Sequence, residues 1–333
     1  MANSLYSLDD CLTEIRVNVA VLHGALLPIE LPSARASFSP EQQMKVGLEL
    51  RRVLRGIAFL SVLWPFCSAA IASDAETHQT AAAVAVSKLD FDRAIQIYSK
   101  GLEQPFSLKD RAELLLMRGV TAQLAKRWDQ AEADFTAAVE MVGSTDQRAY
   151  RDRGFFYHHR GHFELALADY TAAARLFPDN GAFPNGQGLA LMEQGKFDEA
   201  ITRFDEAIKL EPTSGLFMLG RAEAYNRSGR PQTALEDYDK ALALGHLTRS
   251  DTYRLRVGVG VAQITLKNEK AAIESLDKAV ELDPNSTTAL RYRGLAYERA
   301  GELDRAYRDY ETVLRLNPGD EFAVKRLQRL RAN

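Results

Sequence analysis

Downstream of residue 75 the apolar positions recur with the 3.6-residue period of amphipathic helices, in paired bursts separated by short polar breaks. The stretch 147–178, QRAYRDRGFFYHHRGHFELALADYTAAARLFP, shows the unit most clearly. Tyr150, Gly154 and Tyr157 fall at i, i+4 and i+7, on one face of a first helix. Phe163, Ala166, Tyr170 and Ala173 form the matching face of a second. Large residues on one helix face small ones on the other, which lets the axes approach closely. Gly161, Gly195, Gly229 and Gly301 stand at the breaks, where a left-handed residue ends a helix. Pro178, Pro212, Pro284 and Pro318 cannot continue the second helix and set the turn into the next unit.

Aligning the alanine that opens each second helix gives Ala94, Ala131, Ala166, Ala200, Ala234, Ala272 and Ala306, at spacings of 37, 35, 34, 34, 38 and 34. A large apolar residue follows each by four positions: Tyr98, Phe135, Tyr170, Phe204, Tyr238, Leu276 and Tyr310. A small residue precedes each by twelve: Ala82, Gly119, Gly154, Gly188, Ala222, Gly260 and Gly294. Enlarging Ala166 or Ala200 to Leu is expected to cost about 1–3 kcal/mol by overpacking. The longer spacers, near 105–109 and 246–250, predict bulging loops. The first copy departs most, with Leu89 at the break and Ala82 in place of glycine.

This pattern resembles the tetratricopeptide repeat, a 34-residue helix–turn–helix, in seven copies over 75–318. The resemblance implies an all-α fold, a right-handed superhelical solenoid of helix–turn–helix repeats. Residues 319–333 place Phe322, Leu327 and Leu330 on one side and bases on the other, as a helix capping a solenoid end does. In the family the first helices line a concave groove that takes extended peptides or partner helices. Carried over by position, that lining comprises Arg148, Arg151, Phe155, His158 and His159 in the central copy. Leu116, Val120 and Gln123 precede them. Asn185, Leu189 and Met192 follow, then Leu219, Glu223 and Asn226, then Arg254 and Val257, and finally Arg291, Leu295 and Glu298. Arginine beside aromatic rings at 148–159 suits a carboxylate-bearing or aromatic segment; the competing account is that these charges only solvate the face. Arg153, like Arg118, Arg221 and Arg293, sits just before the repeat's small residue and reads as a repeat feature. The clamp by which some members hold chaperone tails needs Lys and Asn where this chain has Leu116, Val120, Asp152, Ala182 and Gly186, so that version is unsupported.

The first 43 residues fit nothing downstream. A strand-like run at 13–21 has no second strand to pair with, and Pro- and Ser-rich sequence follows. At Met44 the character changes. Lys45, Arg51, Arg52 and Arg55 precede an uncharged apolar run over 56–66, and Ala70-Ile71-Ala72 is a small-x-small site ahead of Ser73. That order predicts a secretory signal peptide over 44–72, with 1–43 a disordered or mis-assigned upstream segment. The expected setting is the bacterial envelope, exported to the periplasm. The alternatives are a signal anchor through 56–72, tethering the chain to the inner membrane, and a buried core helix. The run is short for a membrane span and holds Pro65. A lipoprotein signal is disfavoured by Trp64-Pro65-Phe66 ahead of Cys67, and the twin-arginine pattern is incomplete.

Composition narrows the function classes. A net charge of −3 gives no global basic field, so nucleic acid is not an expected partner. Cys11 and Cys67 are the chain's only cysteines and lie upstream of the repeats, which leaves the repeats no disulfide or thiolate cluster. His158, His159 and His162 straddle a helix end without an acidic partner at ligand spacing, so no metal is expected. Gly258-Val259-Gly260 resembles part of a dinucleotide loop but lies inside a predicted helix, with no strand before it and no third glycine, which makes it a very weak signal. The many Asp and Glu read as a solvated surface, and Asn285-Ser286-Thr287 reads as a helix N-cap. No catalytic pattern and no cofactor is expected. The sequence predicts a non-enzymatic scaffold that binds a protein or peptide partner, with a membrane-anchored assembly factor as the alternative and an enzyme subunit less favoured.

Overall fold

The computed structural model describes residues 74–332, and within them every regular element is an α-helix. The strand-like run, the basic-apolar segment 44–72 and both cysteines lie outside the described residues. The chain divides into two compact units, one ending at Phe106 and one starting at Ser107.

In the first unit α1 (Asp74–Ser87) and α2 (Phe91–Leu102) pack as a hairpin around Ala82, Ala94 and Tyr98. Leu89 takes φ 60° at the break, the left-handed conformation that glycine holds elsewhere. The Asp90 side chain then accepts from the Arg93 amide at 3.2 Å and starts α2.

The second unit stacks further hairpins in sequence: α3 (Leu108–Leu124) with α4 (Trp128–Val142), α5 (Gln147–His159) with α6 (Phe163–Leu176), and α7 (Ala182–Glu193) with α8 (Phe197–Leu210). Then come α9 (Gly215–Arg227) with α10 (Pro231–Leu244), α11 (Arg249–Thr265) with α12 (Glu269–Leu282), and α13 (Thr287–Arg299) with α14 (Leu303–Leu316). Within this unit each first helix packs on its own second helix, and from α5 onward also on the second helix before it. The last helix, α15 (Glu321–Ala332), buries Ala323 and Leu327 against Tyr310 and Val313 of α14, with Phe322 and Leu330 alongside. Among the described residues no helix is long and apolar enough to cross a membrane.

Packing follows the large-opposite-small rule read from the sequence. A Cβ on Gly154 would stand 2.8 Å from the Tyr170 ring, and one on Gly188 would stand 2.8 Å from Phe204. At the break Gly161 holds φ 78°, and the His162 amide reaches back to the Tyr157 carbonyl at 2.8 Å, closing the helix end. Lys126 and Lys267 hold the same left-handed turn without glycine.

Two sequence expectations are corrected here. The extra residues near 105–109 and 246–250 do not bulge as loops. They add a turn to the first helix, so α3 and α11 each run 17 residues where α5 has 13. The cause is a capping residue placed one turn early. The Ser107 hydroxyl accepts from the Asp110 amide at 3.1 Å, and the Thr248 hydroxyl from the Asp251 amide at 3.0 Å. Nor are the acidic residues simply a solvated face. Asp134, Asp169, Asp237 and Asp309 are buried, and each accepts two hydrogen bonds from the arginine sixteen residues earlier: Arg118, Arg153, Arg221 and Arg293. The arginine thus locks a first helix to its own second helix through the Nε–Nη2 edge of the guanidinium. Arg221 and Arg293 also reach the preceding second helix, at Asp205 (2.5 Å) and Asp277 (2.9 Å).

Candidate functional site

Packing between helices accounts for one face of each first helix. The candidate site is the other face, where the lining residues named above belong.

The central helix α5 carries the predicted basic-aromatic group. Arg148 is half-buried and bound to Asp146 at 2.8 Å and to Glu113 of α3 at 3.4 Å. Its guanidinium holds the Asp146 carboxyl below the usual carboxylate range, against the opposing effect of burial. Arg151 is more open, 52% exposed, and pairs with its neighbour Asp152 at 2.9 Å. The Phe155 ring lies half-exposed and stacks on His159, with the ring planes 13° apart. His158 turns inward, edge-on to Phe163 of α6, and burial lowers its imidazole below the usual histidine range. His162 stands edge-on to Tyr157 instead. The three histidines therefore diverge, and among the described residues no group of three His, Cys, Asp or Glu is placed to hold a metal ion.

The following helices contribute less than the sequence predicts. Met192 is 2% exposed and Leu219 0%, both inside apolar clusters, and Asn185 is buried. Leu219 and Asn185 occupy the position that Arg151 holds in α5. There, the next residue is Asp152; in α7 and α9 it is Gly186 and Gly220, which bring the helix against the Tyr170 and Phe204 rings and bury one more column of side chains. Met192 and Leu219 are core residues and not part of the face.

Charged residues on this face tie successive repeats together. Arg227 pairs with Glu193 at 2.6 Å, Arg254 with Glu223 at 2.7 Å, and Arg326 with Glu298 at 3.2 Å. Arg291 lies over the Phe322 ring of α15, 4.9 Å from its centroid. Asn226 donates to the Gly258 carbonyl at 3.2 Å.

Between these ties runs a row of half-exposed apolar residues at one equivalent position per hairpin: Val120, Phe155, Leu189, Val261 and Leu295, interrupted by Glu223. Val261, which is not among the lining residues expected from the sequence, completes the row. The signal that finds it is positional, since each member directly follows the small residue of its first helix.

Comparisons with known proteins fit this architecture. Family models described as the tetratricopeptide repeat match residues 116–181 and 185–247, 253–286, and 287–320. The tetratricopeptide repeat protein 36 homolog of Drosophila melanogaster is 33% identical over 91 residues, 26% of this chain and 47% of that protein. The chain spans less than half the length of each curated relative it matches. A tetratricopeptide repeat protein from Parabacteroides merdae superposes with a TM-score of 0.61 at 17% identity, covering 78% of this chain and 99% of that one. The APC/C hetero-tetramer Cut9-Hcn1 gives a TM-score of 0.61 at 18% identity, over 84% of this chain and 59% of the other. At these identities the likeness to solved structures is one of fold.

Proposed function

Because this chain belongs to the tetratricopeptide repeat family, whose arrays are protein-interaction scaffolds, we propose that it is a non-enzymatic scaffold binding a protein or peptide segment along its first-helix face. The observation that carries this reading is the row Val120, Phe155, Leu189, Val261 and Leu295. These apolar side chains keep part of their surface open to solvent in register from repeat to repeat, while Leu189 and Leu295 also pack against the core clusters with their inner side. Burying such surface is what drives association, and an extended segment or amphipathic helix with apolar residues fits a linear row. Phe155, with Arg151 and His159 beside it, supplies the large aromatic anchor in which binding energy concentrates. Affinity capture with the full chain from cells of its own host tests the reading. Phe155→Asp with Leu189→Asp should lose any partner captured by the natural protein, at unchanged helicity. A partner held equally by both proteins would overturn it.

We further propose that the protein acts in the bacterial cell envelope, exported to the periplasm. The support is the order of basic residues, apolar run and small-x-small site over 44–72. Sequencing the N-terminus of the protein isolated from its host should return Ser73. A product retaining 56–72 and resisting carbonate extraction would favour the membrane-anchored assembly factor instead.

A further inference from the structure

The junction between α10 and α11 is built unlike its neighbours. The adjoining turns 211–214 and 283–286, like 177–181 and 317–320, each carry a proline, whereas 245–248, like 143–146, carries none. Gly245 holds φ 71° and ψ −156°, a region open essentially to glycine alone, and His246 follows at φ 59°. Two successive residues with positive φ make this link the one among the described turns that departs furthest from ordinary backbone.

The directional ties also differ there. At α8/α9 and α12/α13 an arginine on the first helix grips a carboxylate on the preceding second helix, Arg221 on Asp205 and Arg293 on Asp277. The equivalent place in α11 is Val259, its partner position in α12 is Ser275, and Asp239 of α10 stands exposed. What spans the junction on that side is apolar: Leu255 is buried against Tyr238 and Ala241, with Leu247 and Val259 beside them. Apolar burial is non-directional and tolerates small rotations, whereas a bidentate guanidinium–carboxylate pair fixes an angle. The directional contacts have moved to the first-helix face. Arg254 of α11, its side chain 9% exposed, is held by Glu223 of α9, 18% exposed, and by Asp251. Asn226 adds its bond to the Gly258 carbonyl. Beyond the junction α11 is fastened forward, through Arg249 to the Leu282 carbonyl (2.6 Å), Tyr253 to Ser286, and Arg299 back to the Ile264 carbonyl (2.7 Å).

We propose that the α10/α11 junction is a hinge that opens as a local unit, with Glu223–Arg254 as its latch on the first-helix face. Opening parts Leu189 from Val261, so the row of apolar residues is divided into an upstream and a downstream half whose relative angle can change. This holds whatever occupies the face, so it stands or falls apart from the binding proposal.

Hydrogen exchange of the full-length protein, read by mass spectrometry, tests it. Glu223→Gln should speed exchange of amides in 246–256 about tenfold while segments in α6 and α14 keep their rates, as local opening requires. The paired change Val259→Arg with Ser275→Asp supplies the arginine and the own-hairpin carboxylate that orients it, so that its other edge can grip Asp239 of α10 as at the neighbouring junctions, and should slow the same amides. An unchanged 246–256 in both variants would overturn the proposal. If Glu223→Gln disturbs the whole fold, the graft decides alone: slower exchange confined to the junction supports the hinge, and no change there refutes it.

Discussion

Truncating Asp169 to alanine should loosen the α5/α6 hairpin far more than removing Arg153 and Asp169 together. Asp169 accepts from Arg153 Nε at 2.9 Å and from Nη2 at 2.6 Å, with the side chains 5% and 17% exposed. Removing one partner of a fully buried ion pair costs about 3–5 kcal/mol, because the other charge is left desolvated. Arg153 keeps an edge to water, which brings the figure here to about 2–3 kcal/mol. Replacing both partners by apolar residues of similar size, Arg153→Met with Asp169→Leu, should be close to neutral. The α11/α12 hairpin shows why, since it closes with Val259 and Ser275 at the same two positions. Repeat arrays open locally, so the appropriate assay is amide exchange within 149–173 rather than a single melting temperature. Asp169→Ala should speed that exchange about thirtyfold or more, taking 1.4 kcal/mol per factor of ten, and the paired variant only a few-fold. If single and paired variants exchange alike, the arginine ladder is not what fixes the hairpin angle.

Three further outcomes follow from the same packing. Gly154→Val places a Cβ 2.8 Å from a buried Tyr170 ring and should destabilise by about 1–3 kcal/mol in urea titration, outweighing the helix propensity gained. Burial lowers the His158 imidazole, so the unfolded chain takes up a proton before the folded one does. Stability should then fall as pH drops through about 6.5, and His158→Phe should narrow the gap in unfolding midpoint between about pH 7.5 and 5.5. Thr248→Ala removes the cap of α11 and should cost about 1 kcal/mol, with faster exchange in that helix's first turn.

Much of the fold was legible because the hairpin is encoded in short-range periodicity. The helix faces, the glycines opposite rings and the left-handed breaks all follow from spacings within one repeat. The arginine ladder was half legible: Arg118, Arg153, Arg221 and Arg293 stood out as repeat features, but their carboxylates lie on the next helix, sixteen residues on, where no helical period points. The constant sixteen is itself a signal once several repeats are aligned. The longer spacers misled because a capping Ser107 or Thr248 turns added length into helix. The candidate binding face was the least legible part. Whether its first lining position is open differs from repeat to repeat: Arg151 is exposed before Asp152 and Val257 half-buried before Gly258, while Asn185 and Leu219 are buried before Gly186 and Gly220 and Leu116 before Met117. That is a property of helix approach, which a single repeat does not display.

The central claim is that the first-helix face, and not the outer surface of the second helices, meets the partner. A photo-crosslinking residue placed at Phe155 of the full-length protein in its own host tests it, with the exposed Glu164 of α6 as the control position. The account predicts a discrete protein adduct from position 155 that is absent from 164 and lost when Leu189→Asp is added. An adduct from 164 with none from 155 would contradict it.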